Sequence, residues 1–441
     1  MRPTDRSRIT RPTRRAFLKT TAGAAAVGVF GFPNILRAGA GERLNIAVVG
    51  TMNQAWWNIQ QIKGENIVAL CDVDANGLAR AAEAFPGAKT YRDFRVMLER
   101  QKDIDAVLVA TPDHIHGPAA AMALRTGRHC YCEKPLAHSV HETRVLTKLA
   151  KETGLATQMG TQIHAGDNYR RVVELIQAGT IGPVREAYVW CGKSWSGGRF
   201  GPAVDPPAHL DWDLWLGPAR ERPYSEGLHP ANWRSFWEYG TGTLGDMACH
   251  YMDLVHWALD LGRPTRVEVE GPEPHSVGTP AWLIVRCDHP EKDGRPPVTT
   301  TWYDGGKRPA LFDELRNADE TKLEWGDGHL FVGDTGMIIS DYGRHFVLRD
   351  GKVSDDFERP EPTIPRSIGH HAEWIEACKA GTPTTCHFGY SGPLTEAVLL
   401  GNVAFRAGVS IDLDPARAGG PSSESAVEEL IRPPMRAGWE V

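Results

Sequence analysis

The feature that most constrains the fold is a regular alternation of short apolar runs and amphipathic stretches between Leu44 and Met159. Leu44-Asn45-Ile46-Ala47-Val48-Val49-Gly50 has almost no polar face to offer water, which suits a strand covered on both sides in a parallel sheet. A helix from about Gln54, a strand over 66–71 ending at Asp72 and a helix over 74–85 follow. Next come a short strand at 89–91, a helix over 93–101, a strand over 104–110 and a helix over 118–126. Strand 129–133 stops at Glu133-Lys134-Pro135, and Ser139 with Glu142 forms an S-x-x-E capping box that opens a helix running to about Thr153. This alternation predicts a doubly wound parallel sheet, whose ligands sit beyond the carboxyl ends of its strands. Lys134 stands at such an end.

Beyond Met159-Gly160 the pattern changes. A helix over 167–178 and a strand over 183–191 lead into a tryptophan-rich segment, and then to apolar or alternating runs at 265–270, 282–287, 298–303, 330–332, 337–340 and 345–349. Turn residues rather than helices separate these runs, which predicts an antiparallel sheet. Helices over 367–379 and 392–406 close this second α/β domain. The Gly/Pro/Ser-rich stretch 416–424 reads as a loose connection to a short tail. The expected division is therefore a leader over 1–40, a dinucleotide-binding domain over 41–162, a substrate domain over 163–415 and a tail over 416–441.

The leader carries eight Lys/Arg against Asp5, which leaves the remainder more acidic than the formal −6 of the whole chain. An acidic body lacks the basic face that phosphate neutralisation needs, so no nucleic-acid partner is expected. Thr13-Arg14-Arg15-Ala16-Phe17-Leu18-Lys19, a weakly apolar run from Thr20 to Phe32 and Ala38-Gly39-Ala40 form a twin-arginine export signal with its cleavage site. The expectation is export of the folded protein to the periplasm or another extracytoplasmic compartment, with no membrane attachment afterwards. A chain that folds before export does so in a reducing compartment. The eight cysteines, with no C-x-x-C pair, therefore read as buried thiols and no metal site is expected.

A glycine-closed first strand followed about twenty residues later by an acid, Asp72, is the frame of a dinucleotide site. A carboxylate there favours NAD over NADP, because it repels a 2′-phosphate. The loop departs from G-x-G-x-x-G, since the three glycine positions hold Gly50, Met52 and Ala55. The pyrophosphate is then expected to meet the amides of Asn53 and Gln54 at the helix N-terminus. Thr111-Pro112-Asp113-His114-Ile115-His116 follows the fourth long strand at the same edge, and its histidines read as hydrogen-bonding groups of a cofactor loop. In Gly240-Thr241-Gly242-Thr243-Leu244-Gly245-Asp246-Met247-Ala248-Cys249-His250, Asp246 and His250 are four apart and share a helix face. Such a pair could orient a histidine general base, or could be a plain helix-surface pair.

The segments ATPDHIHGPAA, HCYCEKP and GTGTLGDMACHYMD together resemble the glucose-fructose oxidoreductase, inositol dehydrogenase and MocA family of NAD(P)-dependent oxidoreductases, and the similarity runs from about Leu44 to about Arg406. The resemblance implies a Rossmann domain plus an α/β domain with an open, mostly antiparallel sheet through which copies of the chain associate. It implies Lys134, Asp246 and His250 as the catalytic set, and Asp72, Thr111, Pro112, His116 and Glu133 against the cofactor. It also implies a cis Lys134-Pro135 peptide. Hydride transfer from a secondary alcohol needs a base and an electrostatic partner for the developing alkoxide. These roles fall to His250, with Asp246 orienting it, and to Lys134. Tryptophan suits the C–H faces of a sugar; Trp195 and Trp233 are the expected pocket walls, with His164 and Lys193 as polar substrate contacts.

Export adds a constraint, because outside the cytoplasm no nicotinamide pool reoxidises NADH. The expected enzyme oxidises a sugar or cyclitol hydroxyl with a tightly bound cofactor. The alternatives are a redox-neutral NAD-dependent glycosidase using the same site and, from another class, a non-catalytic sugar-binding protein.

Overall fold

The structure, a computed structural model, describes residues 42–413 and 425–441. The segments expected to form an export signal and its cleavage site lie outside the described residues. The first domain comprises β1 (Asn45–Val49), α1 (Gln54–Ile62), β2 (Asn66–Cys71), α2 (Ala75–Ala84), β3 (Lys89–Tyr91), α3 (Phe94–Arg100), β4 (Ala106–Val109), α4 (Asp113–Arg125), β5 (His129–Glu133), α5 (Val140–Thr153) and β6 (Thr157–Gly160). Its six strands pair in parallel in the order β3-β2-β1-β4-β5-β6. Strand side chains alternate between two buried layers: Ile46, Val48, Leu70, Leu108 and Tyr131 on one side, Ala47, Val49, Val107, Val109, Cys130 and Cys132 on the other. Burial on both faces explains why these strands read as continuous apolar runs. The order reverses between β1 and β4, which opens a crevice at their carboxyl ends.

The second domain contains α6 (Asp167–Gln177), β7 (Val184–Trp190), α7 (Trp212–Leu216), α8 (Gly242–Ala258), β8 (Arg266–Glu270), β9 (Ile284–His289), β10 (Val298–Tyr303), β11 (Gly328–Gly333), β12 (Gly336–Ser340), β13 (His345–Arg349), β14 (Lys352–Val353), α9 (His370–Ala380), α10 (Phe388–Ala407), β15 (Ile411–Asp412) and α11 (Ser425–Ile431). Its nine-stranded sheet runs β14-β13-β12-β11-β7-β10-β9-β8-β15 and is antiparallel except between β7 and β10. Helix α8 lies against this sheet, with Leu244, Ala248 and Met252 in one core with Ala187, Val189 and Val285. All eight cysteines are free and buried.

Two helices start earlier than the sequence suggests. Pro118 and Pro393 read as first-turn residues, since proline lacks the N–H that the helix interior needs. In the structure each lies inside its helix, α4 or α10, one turn and a half from the start. Each follows a glycine whose missing side chain serves packing on α5: a Cβ on Gly117 would lie 2.5 Å from Glu142 Oε1, and one on Gly392 would lie 2.0 Å from Thr147 Oγ1. The Ser139/Glu142 capping box forms as expected. The stretch 416–424, expected as a loose connection, lies outside the described residues, and the tail after it is packed against the fold. Val427, Ile431 and Trp439 are buried in the main core, and Trp439 stacks edge-on against Phe94 of α3 with ring centroids 5.8 Å apart.

Candidate active site

A cavity of about 790 Å³ runs from the ends of β1, β2, β4 and β5 to the start of α8. Of the residues expected to touch cofactor or substrate, it gathers Gly50, Met52, Asn53, Gln54, Asp72, Thr111, Pro112, His116, Glu133, Lys134, Lys193, Trp195, Trp233, Asp246 and His250. His164 is not among them.

The loop after β1 shows how a methionine fits where backbone must approach a phosphate. Gly50 has φ 92° and passes so close to β4 that a Cβ would lie 2.3 Å from Ala110 O, so only glycine fits. The Met52 side chain folds over α2, occupying the space left by Gly77, where a Cβ would come within 2.7 Å of Met52 Cγ. It therefore leaves the cradle clear. Asn53 takes up the turn with φ 51° and ψ −117°, a backbone shape that glycine adopts far more readily. The amides of Met52, Asn53 and Gln54 make no hydrogen bond within the described residues. Free N–H groups at a helix N-terminus are what a pyrophosphate needs, so the residues present fit a dinucleotide.

Asp72 is locked at the end of β2. Its Oδ2 accepts from Thr51 N at 2.8 Å and Thr51 Oγ1 at 2.7 Å, and its Oδ1 accepts from Asp74 N at 2.9 Å. Burial raises its pKa in spite of these bonds. Its remaining lone-pair capacity is open to a ribose hydroxyl. Glu133 ties β5 to α1: its Oε1 accepts from Asn58 Nδ2 and from Gln162 Nε2, each at 2.8 Å, and burial raises its pKa. A side chain at Gly160 would collide with it, the Cβ lying 2.5 Å from the Glu133 carboxyl carbon. The ring nitrogens of His116 lie 2.7 Å from Pro135 O and 2.9 Å from Thr111 O, joining the loops after β5 and β4. Those of His114 face the carbonyls of Tyr239 and Trp215. Both histidines belong to the first turn of α4; His116 lines the cavity, whereas His114 packs away from it between Trp215 and Tyr239.

At the other end of the cavity, Lys134 Nζ donates to Asp246 Oδ1 at 2.8 Å and to Asp246 O at 2.6 Å, and the Lys134–Pro135 peptide is cis. Arg234 Nε donates to the same Oδ1 at 3.1 Å, and the Trp195 indole N–H donates to Oδ2 at 2.8 Å. Burial alone would raise the Asp246 pKa, but the two cations hold it well below the usual carboxylate range. Burial alone would likewise lower Lys134, and Asp246 outweighs it, so the amine stays protonated. The expected Asp246–His250 pairing does not form. The two share a face of α8, but the Asp246 carboxylate turns to Lys134, Arg234 and Trp195 instead. Burial, and then the Lys134 charge, lower the His250 pKa to about 3, so the imidazole is neutral at physiological pH. Asp113, at the start of α4, accepts from Thr241 Oγ1 at 2.7 Å and burial pushes its pKa up to about 7.

His164 is corrected most. It is buried away from the cavity lining, with Nδ1 at 3.0 Å from both carboxylate oxygens of Asp253 and its ring stacked on Trp257 at 4.0 Å. Tyr390 donates to Asp253 Oδ1 at 2.7 Å, so this buried side chain has its partners within the protein, without substrate. His164, Asp253 and Cys386 do bring donor atoms within 4.8 Å of one another, a grouping from three distant segments that no spacing in the chain announces. Trp233 lines the cavity but is 5% exposed and mostly packed, with the Arg234 guanidinium 4.2 Å from its ring centre, whereas Trp195 is 36% exposed. Sequence reasoning missed Arg234, Thr51, Asn58 and Gln162, all of which act through another side chain. Only Arg234 carried a signal, in its polar neighbourhood beside Trp233.

Residues 44–161 match the family model described as oxidoreductase family, NAD-binding Rossmann fold, and residues 180–295 match its C-terminal alpha/beta domain. The chain belongs to the Gfo/Idh/MocA oxidoreductase family. Levoglucosan dehydrogenase from Pseudarthrobacter phenanthrenivorans is 24% identical over 49% of this chain and 52% of its own length. A glycosyl hydrolase family 109 protein from Saccharopolyspora erythraea is 26% identical over 60% of this chain and 58% of its own. The chain thus spans little more than half the length of these relatives. Among solved structures, the WlbA dehydrogenase of Bordetella pertussis in complex with NADH and UDP-GlcNAcA superposes with a TM-score of 0.58 at 18% identity, covering 85% of this chain and 98% of that one. A levoglucosan dehydrogenase complexed with NADH and L-sorbose gives 0.57 at 15% identity, covering 84% and 99%. At these identities the structures establish the Gfo/Idh/MocA fold.

Proposed function

We propose that this family member is an NAD-dependent oxidoreductase that oxidises a secondary hydroxyl of a sugar or cyclitol with a tightly held cofactor. The observation that carries the reading is the pairing, in one cavity with the free amides of Met52–Gln54, of a protonated Lys134 and a neutral His250. The amides and Asp72 would hold the pyrophosphate and adenosine ribose, and the Asp72 carboxylate supports NAD over NADP. When bound, the nicotinamide supplies the hydride acceptor. His250, with no hydrogen bond to its ring among the described residues, is free to take the hydroxyl proton. Two of the three Lys134 N–H donors are committed to Asp246, and the third stabilises negative charge on the substrate oxygen. Asp246 acts as a positioning residue, fixing Lys134 in its charged form. Trp195 presents an aromatic face to the substrate while its N–H is held by Asp246, and Lys193 adds a polar contact at the rim.

The segment over residues 13–19 supports export in the folded state, and export supports a cofactor that stays bound between turnovers. Self-association through the open sheet is part of the same reading. The likeness to glycosyl hydrolase family 109 proteins favours a second one. There the oxidised carbon acidifies its neighbouring C–H, the leaving group departs, water adds and the ketone is reduced back.

The test is a single turnover of cofactor-loaded protein with a panel of free sugars and cyclitols. Reduction of the nicotinamide by at least one, lost in Lys134→Ala and His250→Gln, is the expected result. Cleavage of a glycoside without net reduction, with solvent deuterium gained beside the oxidised carbon, would select the glycosidase. A loaded protein that does neither would overturn both.

A further inference from the structure

The end of the cavity away from Lys134 is closed by the last residues of the chain. Trp439 lines it together with Asp72, Arg92, Phe94, Leu214 and Trp215. The Arg95 guanidinium lies 3.8 Å from the Trp439 ring centre, on the same indole that stacks edge-on with Phe94. Arg95 is itself fixed by Asp93, at 3.0 Å from Nε to Oδ1 and 2.7 Å from Nη2 to Oδ2, and its Nη1 donates to Gly438 O at 3.1 Å. The terminal segment is pinned a second time by Arg436, whose Nη2 donates to Asp213 Oδ1 at 2.6 Å and whose amide donates to Pro218 O at 3.1 Å. Upstream, α11 anchors it through buried Val427 and Ile431.

The position follows from the frame of the site. In a doubly wound sheet, the acid at the end of the second strand meets the adenosine ribose, so the adenine lies beyond Asp72. Apolar and aromatic groups gather at that point: Phe94, Leu214, Trp215 and Trp439. A flat heteroaromatic base gains from stacking on such faces. This wall comes from a segment outside the sheet, held to the rest of the fold by the side chains of Arg95 and Arg436 rather than by strand pairing.

We infer that residues 432–441 form a clasp over the adenosine half of the dinucleotide site, with Trp439 a wall of the adenine slot, so that cofactor release requires the clasp to detach. The inference rests on the dinucleotide reading above and deepens it: the tight retention proposed there has a structural source in the C-terminal segment.

The test uses ADP-ribose and NADH as probes on the full-length protein, with affinity read by calorimetry and release by stopped-flow displacement. ADP-ribose has no nicotinamide, so its binding does not depend on Lys134 or His250. Trp439→Ala should weaken both probes about tenfold or more, as loss of one base–aromatic stack does, and Trp439→Phe should recover part of the loss. Arg436→Ala leaves every cavity residue in place and should speed release of both probes. Lys134→Ala should leave ADP-ribose unchanged. A folded Trp439→Ala protein with wild-type affinity and release would overturn the clasp. If that variant does not fold, wild-type release rates in Arg436→Ala would overturn it equally. A wild-type protein that binds neither probe would overturn the dinucleotide reading, and the clasp with it. Normal NADH binding with unaltered release in both variants would remove the clasp alone.

Discussion

Replacing Asp246 by asparagine keeps the shape and an acceptor oxygen but removes the charge between Lys134 and Arg234. At an effective dielectric near 20, the 2.8 Å Lys134–Asp246 pair attracts by ~6 kcal/mol, part of which offsets the cost of burying both groups. The Lys134 side chain is 13% exposed and cannot recover its hydration, whereas Arg234, at 31%, partly can. Breaking such a pair from one side costs about 3–5 kcal/mol. Asp246→Asn should therefore lower the urea midpoint by an amount equivalent to this range, with unchanged m. Adding Lys134→Met should restore part of the loss, with a coupling energy of about 2–3 kcal/mol in the double-mutant cycle. The pH dependence has a definite sign. The Asp246 pKa is depressed, so its contribution is present above the ordinary carboxylate pKa near ~4 and is lost as pH falls through the depressed value. The Lys134 pKa is raised, so its contribution is present below the ordinary lysine pKa and is lost as pH rises through the raised value. The gap between wild type and variant should be flat across neutral pH and should close in strong acid. A loss below about 1 kcal/mol, the range of exposed pairs, or additive single variants would refute the reasoning.

Three further outcomes follow from the geometry. His250→Gln should lower kcat by about 10²–10⁴-fold, the usual worth of a positioned base, with NADH affinity kept; steady-state kinetics alongside a binding titration checks this. Gly77→Val should push the Met52 side chain into the phosphate cradle and weaken NAD binding, and Met52→Gly in the same background should restore it, both read by calorimetry. Burial raises Asp113 to about 7, so its contribution to stability is present below the ordinary carboxylate pKa of ~4 and is lost as pH rises through about 7. Asp113→Asn should flatten the thermal stability profile over that window, and a slope as steep as in wild type would count against the assignment.

Much of the fold was legible because the parallel strands are buried on both faces: Ile46, Val48, Val107 and Val109 leave no other reading. Ser139 and Glu142 marked the start of α5 by a local hydrogen-bond exchange that sequence encodes directly. Helix starts at Asp113 and Phe388 were hidden because Gly117-Pro118 and Gly392-Pro393 answer to packing on α5, a tertiary demand that overrides the local meaning of proline. The structure brings Lys134, Asp246 and His250 into one cavity, but the expected Asp246–His250 pairing is replaced by Asp246–Lys134. A four-residue spacing places two side chains on one face, and the stronger pull of Lys134 and Arg234 decides where the carboxylate goes. His164 shows the same limit, since Asp253 and Tyr390 reach it from distant segments. Trp439 could not have been found, because nothing near residue 439 records that it packs on Phe94.

The most direct test of the central claim is to purify the protein in its folded state, denature it and assay the supernatant for nicotinamide dinucleotide. The account predicts NAD(H) near one equivalent per chain, retained through dialysis of the folded protein. Protein that releases none, and that fails to bind NADH when titrated, would contradict it.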